Sequence, residues 1–244
     1  MSLLELERVS KHFGGLQAVS GLSLQMEAGE ILGLIGPNGA GKTTAFNLVS
    51  GFLKPDAGEI RFRGRSLIGL KPHAICLLGL VRTFQLVRPF PHLSVAANVR
   101  VGALARHPRS SESQARALAV VEQVGLAAKA ESPAGSLTLA ERKRLELARA
   151  LATEPTLLLL DEVMASLTAT ETEAMVGLIR RINESGVSVL LIEHNMRAVM
   201  SLSHRIAVLS FGEKIAEGAP ATVAGHPRVI EAYLGEDYEH PAPA

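Results

Sequence analysis

The chain is poor in several things, and each shortage removes a class of protein. It has 244 residues but one cysteine, Cys76, so it holds neither an intrachain disulfide framework nor a multi-cysteine zinc site. Tryptophan is absent and there are only seven phenylalanines and two tyrosines, which leaves few platforms on which bases could stack. No run of 18 apolar residues occurs, which excludes a membrane-spanning helix. No charge of one sign dominates: 25 Lys+Arg stand against 24 Asp+Glu, and the basic residues are scattered, so a polyanion-binding footprint is missing. The first residues, Met1-Ser-Leu-Leu-Glu-Leu-Glu7, carry acids where a signal peptide carries lysines, so the expected setting is cytosolic.

Apolar residues, by contrast, are plentiful. They make up 47% of the chain, an excess that must be core or contact surface. A chain of this length buries about 70% of its unfolded surface and needs no staple to hold a core. Short apolar runs of strand length read at Leu3–Val9, Leu22–Met26, Glu30–Ile35, Glu59–Arg63, Val81–Phe84, Leu157–Leu160, Val187–Ile192 and Ile206–Leu209. Several are unbroken Leu/Ile/Val stretches, as in strands covered on both faces. Helical spacing reads at about 42–51, 71–79, 95–105, 111–125, 140–153, 170–184, 195–202 and 228–234. This alternation predicts an α/β fold around a mostly parallel sheet. Residues 92–153 are helix after helix, which predicts a helical subdomain inserted between two sheet-forming parts. The last ten residues have the composition of a flexible tail.

One contiguous motif carries chemistry. Gly36-Pro-Asn-Gly-Ala-Gly-Lys-Thr43 fits G-x-x-x-x-G-K-[ST], follows a predicted strand and precedes a predicted helix. Gly36, Gly39 and Gly41 let backbone N–H groups turn inward around Asn38, and the helix N-terminus adds positive potential for phosphate. Lys42 would reach the terminal phosphates, and the Thr43 hydroxyl, followed by Thr44, would ligate Mg²⁺. The strand Leu157–Leu160 ends in Asp161 and Glu162. Strand periodicity points the two carboxylates oppositely, so their roles differ. Asp161 would hold Mg²⁺ through a water, and Glu162 would polarise the attacking water. Together the two motifs predict a nucleoside-triphosphate hydrolase.

On these residues the sequence resembles the ATP-binding-cassette (ABC) ATPases over residues 3–235, and within them the ATPase subunits of branched-chain amino acid importers. The closer likeness rests on Gly79-Leu-Val-Arg-Thr-Phe-Gln85, Phe90-Pro-His-Leu-Ser-Val95 with Asn98 and Val99, Leu137-Thr-Leu-Ala-Glu-Arg-Lys-Arg-Leu-Glu146, Asp161-Glu-Val-Met164 and Pro227-Arg-Val-Ile-Glu-Ala-Tyr-Leu-Gly235. The resemblance implies a P-loop NTPase of the ABC type, with a mostly parallel sheet core, an N-terminal antiparallel β region and the helical insert. It implies one domain over 1–235, with its catalytic core at about 1–91 and 154–235, its helical subdomain at about 92–153, and a tail at 236–244. ATP and Mg²⁺ would be the ligands. Phe13 matches the aromatic that stacks on adenine. Gln85 would sense Mg²⁺ or the lytic water, and His194 would contact the γ-phosphate and position the water.

The pattern is broken at one place. Where the family reads Leu-Ser-Gly-Gly-Gln, this chain has Leu137-Thr138-Leu139-Ala140-Glu141. Thr138 and Glu141 still form a capping-box pattern, and the helix they open would still aim N–H groups at an anion. Thr138, Ala140 and Glu141 would then face the nucleotide of a second subunit. Thr168 stands where the family commonly has aspartate. The implied partners are a second ABC ATPase, as homo- or heterodimer, a membrane permease, and indirectly an extracytoplasmic solute-binding protein, with no nucleic acid. The implied place is the cytoplasmic face of the membrane, and the implied task is uptake of a small solute such as a branched-chain amino acid. Two other readings stay open here. One is an ATP-binding adaptor with little hydrolysis, which the altered signature favours and intact Lys42, Asp161, Glu162 and His194 oppose. The other is a non-transport ABC ATPase, which the single cassette and balanced charge oppose.

Overall fold

The computed structural model describes residues 2–84 and 88–234. The chain opens with a long hairpin, β1 (Ser2–Phe13) and β2 (Leu16–Glu27), and continues through β3 (Ile31–Ile35), α1 (Lys42–Val49), β4 (Ala57–Phe62), β5 (Arg65–Ser66), α2 (Pro72–Leu77) and β6 (Leu80–Arg82). Three helices follow without an intervening strand: α3 (Val95–Ala103), α4 (Ser110–Gln123) and α5 (Leu139–Leu151). Then come β7 (Leu157–Asp161), α6 (Ala169–Glu184), β8 (Ser188–Ile192) and α7 (Met196–Leu202). The described chain closes with β9 (Arg205–Ser210), β10 (Glu213–Gly218), α8 (Pro220–Ala224) and α9 (Pro227–Leu234).

Two sheets result. The larger has the order β10-β9-β3-β8-β7-β6, parallel except for β10, which runs antiparallel to β9. The smaller, β2-β1-β4-β5, is antiparallel. Strand alternation distributes the leucines of β7 between two cores. Leu157 and Leu159 face the layer shared with the small sheet and α1, whereas Leu158 and Leu160 face the layer built from α3, α5 and α6. β8 divides the same way, with Leu190 and Ile192 against Val189 and Leu191. This two-sided burial is why these strands read as unbroken apolar runs. Phe46 of α1 sits fully buried between the sheets; truncating it to alanine should cost about 3–5 kcal/mol.

β3 lies inside the sheet, with β9 on one side and β8 on the other, and the chain after it passes over to β6 at the far edge. Open α/β sheets bind ligands at the carboxyl ends of strands near such a reversal. The carboxyl ends of β3, β7 and β8 carry the phosphate loop, Asp161–Glu162 and Glu193–His194.

The structure departs from the apolar-run reading at the edges. β1 and β2 run well past their apolar stretches, down to the pair Phe13↔Leu16, because the hairpin register continues where one face is open to solvent. β5, β10 and α8 carry too little apolar periodicity to be anticipated. β10 is a charged, half-exposed edge strand in which Lys214 pairs with Glu217, the composition that guards a sheet edge. The strand expected at Val81–Phe84 is Leu80–Arg82. Gln85 and the expected tail at 236–244 lie outside the described residues.

Candidate active site

The phosphate loop joins β3 to α1, and its shape is set by backbone contacts from the neighbouring strand turns. Gly41 caps α1 with φ +99°, and a Cβ there would lie 2.3 Å from the carbonyl of Ala18 on β2. Only glycine tolerates both the angle and the approach. The turn after β9 closes on the loop from the other side, with the Gly212 N–H donating to the Ala40 carbonyl at 3.1 Å.

Lys42 is buried, and its ammonium donates to the carbonyls of Gly36 at 2.7 Å and Pro37 at 2.9 Å. It thus lies back across the loop it belongs to, with its ammonium held on two of the loop's own carbonyls. Burial holds its pKa below the usual lysine range, against the opposing pull of Glu162 and then Asp161.

A cleft of about 480 Å³ opens above the loop. It brings together Asn38, Gly39, Gly41, Lys42, Thr43 and Thr44 of the loop and α1, Phe13 from the hairpin tip, Glu162 from the end of β7 and His194 from the end of β8. Gly36 contributes its carbonyl beneath Lys42. The Glu162 carboxylate and His194 Nε2 are 2.9 Å apart. Glu162 sits in the left-handed region at φ +50°, uncommon for a residue with a side chain. That conformation is held from three sides. Its N–H donates to the Ile192 carbonyl at 2.9 Å, its own carbonyl accepts from the Lys143 ammonium at 3.0 Å, and Met164 N–H donates to the Glu193 carboxylate at 2.7 Å. Glu193 itself is buried, and burial pushes its pKa up.

Asp161, one residue earlier, lines a second cleft of about 460 Å³. Thr43 lines both clefts and joins them. The two carboxylates are therefore separated as strand alternation requires, and the left-handed turn at Glu162 completes the separation. Asp161 accepts from Arg82 Nη2 at 2.7 Å.

Thr138, Ala140 and Glu141 stand apart from these clefts, at the N-terminus of α5. The expected capping box is formed: Glu141 N–H donates to Thr138 Oγ1 at 3.3 Å, and Thr138 N–H donates to the Glu141 carboxylate at 2.9 Å. Lys129 pairs with that carboxylate at 2.6 Å and, with the cap, holds it below the usual carboxylate range. Thr168 forms a second capping box, with Glu171, at the start of α6.

Sequence reading missed four participants, Arg82 on Asp161 among them. Phe211, 91% exposed on the turn between β9 and β10, lines the first cleft. Glu193 and Lys143 brace the turn that presents Glu162. Only the neighbouring motifs hinted at the last two.

A family profile described as ABC transporter matches residues 19–165, and a second, described as branched-chain amino acid ATP-binding cassette transporter, matches residues 213–239. The chain belongs to the ABC transporter ATPase family. The high-affinity branched-chain amino acid transport ATP-binding protein BraF of Pseudomonas aeruginosa is 41% identical, over 96% of this chain and 98% of its own. LivG of Salmonella typhimurium, which bears the same description, is 42% identical over the same shares. The crystal structure of the ADP conformation of an ATP-binding cassette of an ABC transporter superposes with a TM-score of 0.88 at 29% identity, over 97% of this chain and 100% of that one. The fold and the ATPase activity expected from the motifs are those of the family.

The residues present fit the family's ligands. A loop with room for no Cβ at Gly41, open space at Gly39 and an ammonium laid over its carbonyls suits a polyphosphate. No cluster of three or more His, Cys, Asp or Glu able to hold a metal alone occurs among the described residues. Thr43 and Asp161 supply one hydroxyl and one carboxylate in a shared cleft. That sparse, all-oxygen set suits Mg²⁺, which keeps most of its waters and binds beside substrate phosphates.

Proposed function

We propose that this chain is an ATP-hydrolysing subunit that drives uptake of branched-chain amino acids through a membrane permease. The observation that carries the reading is the 41–42% identity with BraF and LivG over nearly the whole of both chains, together with the C-terminal profile match at 213–239. The site supports it with chemistry. The loop N–H groups, the α1 N-terminus and Lys42 receive the phosphates, and Phe13 offers a ring to adenine. Thr43 and Asp161 would hold Mg²⁺, which would neutralise charge on the phosphate oxygens. Glu162 is the base toward water, and His194, whose Nε2 lies 2.9 Å from it, orients that carboxylate and contacts the γ-phosphate. Gln85 belongs to this reading as the sensor of metal or water.

The working unit is a pair of cassettes at the cytoplasmic face of the membrane, docked on permease subunits that receive solute from an extracytoplasmic binding protein. In it Thr138, Ala140 and Glu141 face the other subunit's nucleotide. Residues 1–91 and 154–235 form the catalytic core of one domain and 92–153 its helical subdomain. None of the described helices is long and apolar enough to cross a membrane, as suits a peripheral subunit.

The test is leucine uptake in cells that lack their own cassette and express this chain with its permease. Wild type restores ATP-dependent uptake, and Glu162→Gln abolishes it while trapping ATP in a stable dimer. An absence of uptake, with ATPase activity indifferent to the permease, would refute the transport reading. Stable ATP occupancy without turnover in both settings would favour the adaptor.

A further inference from the structure

Arg82 closes the strand before Gln85, within the segment that carries the closer family likeness, yet nothing in the reaction above uses it. Its side chain is 8% exposed and that of Asp161 is 5% exposed, so the two form a buried ion pair. The guanidinium spreads across the phosphate-loop helix as well. Nη2 donates to Asp161 Oδ2 at 2.7 Å, while Nη1 donates to Asn47 Oδ1 at 2.5 Å and reaches Ser50 Oγ at 3.4 Å. The rings of Phe46, Phe52 and Phe84 surround it, with centroids 5.6–6.0 Å from its Cζ. Phe52 and Phe84 meet edge to face at 5.7 Å, closing the cage.

Stability alone is a poor reason for such a group. Burying an ion pair costs several kcal/mol per ion, and apolar residues of like volume serve a core as well or better. Arg82 also leaves its Nε buried without a hydrogen-bond partner. The contact with Asp161 is single-pronged rather than a fork on both oxygens. It leaves Oδ1 without a hydrogen bond among the described residues, in the cleft that Thr43 also lines.

We propose that Arg82 is a positioning residue for the metal of the nucleotide: it holds Asp161 by one oxygen, in the rotamer that leaves the other for Mg²⁺, and ties that carboxylate to the phosphate-loop helix through Asn47. The inference rests on the reading of Asp161 as the metal-side carboxylate. Partners of this kind orient metal ligands, and their loss typically lowers metal affinity about 10- to 100-fold.

The experiment measures ADP affinity of the full chain by calorimetry, first in chelator and then across a Mg²⁺ titration. Arg82→Met should leave the affinity in chelator unchanged and raise the Mg²⁺ needed for half-maximal enhancement about 10-fold or more. Arg82→Lys keeps the charge but cannot hold Asp161 and Asn47 together, so it should shift less. Asp161→Asn is the control on the underlying reading. If it raises the Mg²⁺ requirement while Arg82→Met and Arg82→Lys do not, the positioning role is wrong. If Asp161→Asn also changes nothing, the assignment of Asp161 has failed instead. A lowered Mg²⁺ requirement in Arg82→Met would overturn the proposal by showing that the arginine competes with the metal. Should Arg82→Met not fold, Arg82→Lys decides alone, and an unshifted titration refutes the idea.

Discussion

Two glycines of the phosphate loop should fail in different ways when given a side chain. Gly39 has φ +79° and open space where a Cβ would go; Gly41 has φ +99° and the Ala18 carbonyl 2.3 Å from that position. Both alanine variants carry the strain of a left-handed L-residue, about 1–2 kcal/mol. At about 2–4 °C per kcal/mol for a domain of this size, Gly39→Ala should melt about 2–8 °C below wild type. Gly41→Ala must also push the loop off β2, an overpacking cost of about 1–3 kcal/mol more, so its melting point should fall about twice as far. Binding should not follow stability. Gly39 lines the cleft, so its new methyl occupies space meant for phosphate and displaces at least one charge-assisted N–H contact. Such a contact is worth about 1.5–3 kcal/mol, or roughly 10- to 150-fold in the Kd for ADP. Thermal melts paired with ADP titrations read both quantities. If Gly39→Ala binds ADP like wild type, or if the two variants melt together, this loop geometry is wrong.

Other outcomes follow from single contacts. Phe13→Ala should weaken ADP binding by about 1–3 kcal/mol, the worth of a base on an aromatic ring, and Phe13→Tyr should restore it; unchanged affinity in the alanine variant removes Phe13 from the site. Thr168→Ala should cost about 1 kcal/mol through loss of the α6 cap, whereas Thr168→Asp, which also caps, should melt close to wild type. Equal melting of the two would show the cap to be idle. Glu193 has a folded-state pKa above its unfolded value, so the native state binds more protons and stability from this site falls as pH rises through and above the ordinary glutamate range. Glu193→Gln, which keeps an oxygen to accept from Met164 N–H, should flatten that decline; identical pH profiles would refute the buried carboxylate's cost.

The residues that could be read from sequence are those whose partners are close along the chain. The loop from Gly36 to Thr43 is contiguous, and the box of Thr138 with Glu141 spans three residues, so spacing alone exposed both. The strands of the parallel sheet were legible because burial on both faces confines polar residues to their ends. Arg82 was not, since its partner Asp161 is 79 residues away and the ring cage around it draws on α1, the turn after α1 and the stretch just past β6. Glu193 looked like the polar end of a strand, and only the fold sets it against Met164. Phe211 gave no periodic signal because it stands alone on a turn. Edge strands such as β10 trade apolar pattern for charge, which removes the very feature by which strands are read.

The altered start of α5 has a physical logic of its own. Replacing two glycines of the family pattern with Leu139 and Ala140 favours the helix by about 0.8–1 kcal/mol at the alanine, and nearly as much at the leucine. The capping box and the Lys129 pair then secure the end locally. What is lost is close backbone approach from outside, because Leu139 stands 46% exposed where the pattern has no side chain. The helix is thus strengthened within its own chain and, in the proposed pair, blunted toward the partner's nucleotide. Its tie to the catalytic turn is untouched, since Lys143, one turn further on, still donates to the Glu162 carbonyl. The two halves of the chain therefore carry different constraints. In the proposed pair, the half that receives its own nucleotide keeps Lys42, Thr43, Glu162 and His194 along one cleft, whereas the half turned outward keeps a rigid, charge-neutralised helix end in place of a glycine cradle. Any loss of function from that exchange should appear at the nucleotide bound by the partner and spare the one bound over Lys42.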